Sequence, residues 1–123
     1  MRLTFQEAYY SMFVILDHLW PAIANKDDMG GLLGAMSPLL WKEREPIDPA
    51  IFQEWCEFIK HEIDSDMLLP TIIGFLEWYQ HSYGFSFEYA VVELKREADM
   101  LNINSLIDMG KKLVVWSREA HND

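Results

Sequence analysis

Phe5, Ala8, Tyr9, Met12, Phe13, Leu16, Leu19 and Trp20 recur at intervals of three and four residues. That spacing lines them along one side of an α-helix and rules out the period of two that a half-buried strand needs. The start of the helix is also written locally. Thr4 is a good N-cap and Glu7 stands three residues later, which is the capping-box arrangement. Leu3 and Ala8 are placed to act as a weak hydrophobic staple, and Pro21 ends or kinks the helix near Leu19. A chain that opens this way must bury a long apolar stripe, and helices are the partners its remaining sequence offers.

The segment "DPAIFQEWCEFIKHEI" predicts a helix capped by Asp48, with Pro49 at the first helical position, where its missing N–H does no harm. Ile51, Phe52, Trp55, Phe58, Ile59 and Ile63 form its apolar face. Another helix runs through "LPTIIGFLEWYQHSYG" with Gly84 as its stop. A further one is "SFEYAVVELKREADM", capped by Ser86. The last is "NSLIDMGKKLVVWSRE", capped by Asn104 or Ser105, although "KLVVW" alone also fits a strand. Between the first two, "KDDMGGLLGAM" places Met29, Leu32, Leu33 and Met36 on one face, with Asn25, Asp27 and Asp28 as candidate caps. The glycines there read as packing and turn residues that permit close approach of a neighbour. The loop "SPLLWKEREPI" comes next. No other alternating run is convincing. The expectation is an all-α fold: a single compact domain over residues 1–123 with five to six short helices. With 123 residues, half of them apolar, the chain can fill one core.

Several function classes are excluded or disfavoured. No run of 18 apolar residues is present, and Gln6, Glu7, Asp17 and His18 interrupt the apolar N-terminus, which also lacks a signal-peptide cleavage site. The single cysteine, Cys56, cannot form an internal disulfide; it reads as a buried core thiol in the reducing cytoplasm. Gly30, Gly31 and Gly34 do not make a phosphate loop. The lysine and hydroxyl of that motif are missing, and Asp27 and Asp28 would repel a phosphate. His61, Asp64 and Asp66 lack the spacing of a known metal motif and read as a solvated turn. No nucleophile motif occurs. No catalytic residue, cofactor or metal is therefore expected. Two alternatives stay open: a small enzyme using carboxylates, or a metal near His61, and a helical regulatory module that dimerises.

The charge is −10, and its distribution is uneven. From Glu45 to Glu93 there are ten acids and one base, Lys60, so this segment holds −9 of the total. Such a surface repels nucleic acid and attracts basic partners. The charged contact set expected from this is Glu54, Glu57, Glu62, Asp64, Asp66 and Glu77. Trp41, Tyr83, Phe85 and Phe87 are the aromatics most expected on the outside, with Trp41 and Tyr83 as anchors.

Three segments carry a resemblance. Ala8 to Met12 in "FQEAYYSM", Asp27 to Leu33 in "KDDMGGLLGAM", and Asp48 to Trp55 in "DPAIFQEW" together resemble the bacterial immunity proteins of contact-dependent growth inhibition. The likeness covers roughly the first 60 residues. It departs at Phe52, where the family pattern has a tryptophan-like position, and in the loop "WKEREPI". The resemblance implies a cytoplasmic protein that binds a cognate toxin domain and neutralises it without catalysis. Many such toxins are nucleases, whose basic surfaces an acidic inhibitor complements.

Overall fold

The computed structural model describes residues 1–23 and 28–121. Among these residues it has six α-helices, α1 (Phe5–Leu19), α2 (Met29–Met36), α3 (Pro49–Ile59), α4 (Leu68–Tyr83), α5 (Glu88–Glu97) and α6 (Ile103–Glu119). The fold is all-α apart from one pair of two-residue strands, β1 (Arg2–Leu3) and β2 (Ile63–Asp64). None of the described helices is long and apolar enough to cross a membrane.

Helix α1 begins as its sequence dictates. Thr4 Oγ1 accepts from Glu7 N–H, and Glu7 accepts from Thr4 N–H. Past the cap, burial extends beyond a single stripe, because every residue from Ala8 to Leu16 is buried, as is Leu19. A helix buried on all sides is a central one, and the other five helices each bring apolar side chains to it or to its neighbours. Trp55 is fully buried, and its indole N–H donates to Phe5 O. Phe75 stands edge-on to Trp55 at 5.1 Å, which joins α4 to α3.

The most extensive pairing is α1 with α6. Gly110 makes it possible. A Cβ at that position would lie 2.5 Å from Ser11 Oγ, 2.7 Å from Ser11 N and 2.8 Å from Ser11 Cα. The two backbones touch there, and only glycine fits.

The strand pair is not legible in the sequence, since two residues cannot display an alternation. Arg2 pairs with Asp64 and Leu3 with Ile63 in antiparallel register. Ser65 N–H also donates to Met1 O. The N-terminus is thereby tied to the link between α3 and α4. Residues 111 to 116, which include "KLVVW", are helical.

Two caps differ from the sequence reading. Ser86 does not cap α5; Phe87 holds the cap position, and Gln80 Oε1 accepts its N–H. Helix α6 is capped by Asn102, whose Oδ1 accepts from Ser105 N–H, instead of by Asn104 or Ser105. Asp48 and Gly84 act as expected. Asp48 Oδ1 accepts from Ala50 N–H, and Gly84 takes the left-handed conformation at φ 74°. Asp28 precedes α2 without capping it, while the candidates Asn25 and Asp27 lie outside the described residues.

Candidate functional site

The α3–α4 pair and the loops at its two ends carry every residue of the expected contact set. Glu54 and Glu57 lie on α3, Glu77 and Tyr83 on α4, Glu62, Asp64 and Asp66 in the connection between them, and Trp41 in the loop after α2. The acids are not equivalent. Glu57, Glu62, Asp66 and Glu77 are exposed and have no ion-pair partner among the described residues. Asp64 lies 3.9 Å from the N-terminal amine. Glu54 is engaged from α4, with Oε1 accepting from the Tyr79 hydroxyl at 2.8 Å and Oε2 from the Tyr83 hydroxyl. Farther along the chain, Glu93 is buried and pairs with Arg96 at 3.1 Å, so it adds little to the external field.

The aromatic candidates separate as well. Trp41, Tyr83 and Phe85 are exposed, whereas Phe87 is buried at 1 % and belongs to the core. Phe87 directly precedes α5 and faces inward with Ala90 and Leu94, which the sequence pattern around Gly84 does not reveal. Trp41 lines an apolar cleft of about 510 Å³ with Tyr9, Tyr10, Ile47 and Phe52. Its loop is held by Arg44, whose guanidinium donates to Trp116 O and lies 4.5 Å from the Trp116 ring centre. That anchor crosses 72 positions of sequence, and no local pattern announces it. Tyr83 belongs to a different neighbourhood, against Tyr79, Trp78 and Phe85. The two expected anchors are thus in separate places.

Beside Tyr79 a second cleft opens, of about 380 Å³, between α2, the start of α3 and the end of α4. Asp28 and Asp48 both line it, with Ile51, Tyr79, Phe85 and Phe87 as apolar walls. In the sequence both aspartates read as caps, and nothing there brings them to one cleft. Asp28 in fact reaches across the molecule: its Oδ2 accepts from Ser86 N–H, and its own N–H donates to Ser86 O. This two-way clasp fixes the start of α2 to the segment joining α4 and α5.

His61, Asp64 and Asp66 do not converge, and among the described residues no three His, Cys, Asp or Glu side chains are grouped to hold a metal ion. Cys56 is half-buried on α3 instead of fully in the core. Burial is the main cause that raises its thiol pKa, which leaves it less nucleophilic than a free cysteine.

The tyrosines carry the strongest titration effects. Burial raises Tyr9 far above the ordinary phenol value, and its hydroxyl has no hydrogen-bond partner among the described residues. Burial also raises Tyr10 and Tyr79, and for Tyr79 the hydrogen bond to Glu54 adds to the rise. The folded state therefore holds these protons more tightly than the unfolded chain does. The stability they confer is intact below the unfolded-state value of 10.0 and is lost as pH rises past it. Thermal melts should be flat with respect to these groups from about pH 7 to 9 and fall steeply above about 10. The phenolate absorbance of Tyr9, Tyr10 and Tyr79 in the near ultraviolet should appear together with loss of helical circular dichroism. Titration of every tyrosine ahead of unfolding would contradict this burial.

In comparisons with known proteins, no family model, no curated protein and no solved structure matches the chain.

Proposed function

We propose that this chain is an immunity protein of a contact-dependent growth inhibition system. It binds one toxin domain in the cytoplasm and neutralises it by occupying its surface, without catalysing a reaction. The observation that carries this reading is the set of exposed carboxylates on α3, α4 and their connection that have no ion-pair partner among the described residues, next to exposed aromatic rings. A field of one sign over several helices accelerates capture of a basic protein, and a nuclease is basic where it grips nucleic acid. Three resembling segments support the class: one lies on α1, one leads into α2, and one opens α3. Two of their residues also have plain structural roles, Asp48 as a cap and Trp55 as core, so the segments bear on the class and not on a contact surface.

The test is co-expression with the C-terminal domain encoded immediately upstream. Co-purification as a one-to-one complex, restored growth, and weakening of the complex by salt are the expected results. A domain that stays toxic and does not co-purify would overturn the proposal.

A further inference from the structure

Gly31 has no structural reason to be glycine. It lies inside α2, where glycine is a poorer helix former than alanine. Its backbone is not left-handed, since among the described residues Gly84 is the glycine with positive φ. No neighbour crowds it either, because a Cβ there would meet nothing within 4 Å. Gly31 is one of the residues that line the cleft with Asp28 and Asp48.

The chemistry of that cleft is specific. Among the described residues that line it there are two carboxylates and no lysine or arginine. Each carboxylate gives one oxygen to a backbone N–H, from Ser86 for Asp28 and from Ala50 for Asp48, so both are held in place. The Tyr79 and Phe85 rings, which both line the cleft, are stacked on each other with centres 5.8 Å apart and planes at 24°. The Tyr79 hydroxyl donates to a third carboxylate, Glu54. A volume of about 380 Å³ is at the small end for ligand sites and suits one long side chain better than a cofactor. A flat, weakly hydrated cation that stacks on rings and bonds to carboxylates is a guanidinium.

We propose that the cleft between α2, α3 and α4 receives an arginine side chain of the basic protein partner, passing beside Gly31 and between Asp28 and Asp48. The proposal deepens the immunity reading and rests on it for the partner, but the cleft itself is tested with a small probe. N-acetyl-arginine amide is titrated into the ¹⁵N-labelled protein. Saturating shifts are expected at the amides of Gly31, Leu32, Ala50 and Ser86. Capped norleucine, of similar length and without charge, should bind roughly tenfold more weakly. Gly31→Leu projects into open space, so the fold should persist while the cleft fills and the shifts vanish. The double variant Asp28→Asn and Asp48→Asn keeps oxygen acceptors for both N–H groups and should weaken the probe by roughly tenfold.

Equal binding of capped norleucine would overturn the cationic occupant. Unchanged arginine binding in Gly31→Leu would overturn the location. A partner complex that forms normally while the probe never shifts these amides removes the cleft and leaves the acidic face standing. Probe binding that is lost in the variants supports the cleft even if the upstream domain proves not to be the partner.

Discussion

Gly110→Ala is expected to destabilise the protein by about 2 kcal/mol or more, which lowers the melting temperature by about 10 °C for a domain of this size. In an uncrowded helix the same change would stabilise by about 1 kcal/mol, because alanine is the better helix former. The sign reverses here because the new methyl group would meet the amide N and Cα of Ser11, at 2.7 and 2.8 Å, and not merely a movable side chain. Backbone on both sides leaves one response: α1 and α6 must separate along the largest helix pairing in the fold. Two controls make the claim specific. Ser11→Ala in the Gly110→Ala background should recover little, because the hydroxyl is only one of the three close atoms. Gly34→Ala should be neutral or stabilising, because nothing stands within 4 Å of its added Cβ. If thermal melts gave Gly110→Ala and Gly34→Ala the same small gain, the helix contact would be looser than described.

These glycines also mark where reading a sequence stops. Residues whose work is done within one turn are legible: Thr4 with Glu7, Asp48 with Pro49, and Gly84 as the left-handed stop. Each answers to backbone groups a few positions away, and the chain itself supplies the partner. Gly110 is not legible, since its neighbour Ser11 is on another helix and a glycine at that spacing otherwise looks like a weak spot. Asp28 misleads in the same way. As a residue before a helix it reads as a cap, yet the N–H it binds belongs to Ser86, 58 positions away. The strands joined to α1 and α3 are invisible because they are two residues long. Helical class survives all of this because it rests on many periodic positions at once, whereas a site rests on which helices meet.

The expected contact set changes meaning for the same reason. Glu54 carries as much formal charge as Glu57, but two tyrosine hydroxyls from α4 point at it. A substitution at Glu54 would disturb the α3–α4 packing before it reported on any partner. Asp64 spends part of its field on the N-terminal amine. The acids free to act at a distance are therefore Glu57, Glu62, Asp66 and Glu77, and of these Glu57 is close enough to influence Tyr83 electrostatically. Charge count from sequence gives the sign of the surface; hydrogen bonding decides which members of it a partner can feel.

If the proposed function holds, reversing Glu57 and Asp64 together to lysine is expected to slow association with the proposed toxin-domain partner by roughly one to two orders of magnitude at low salt. The dissociation rate should change far less, since exposed charges steer the encounter more than they hold the complex. The difference between the two proteins should shrink as added salt shortens the screening length to about 3 Å near 1 M. Glu57→Lys alone should account for most of the effect, because Asp64 is already partly neutralised. Asp64→Asn separates its charge from any loosening of the strand pair that a lysine beside the terminal amine would cause. Stopped-flow association measured across salt concentrations reads all three variants. If the double reversal associates as fast as the unaltered protein at every salt concentration, the partner does not approach over α3. The cleft lined by Asp28 and Asp48 and the Trp41 loop would then be the surfaces left to carry the contact.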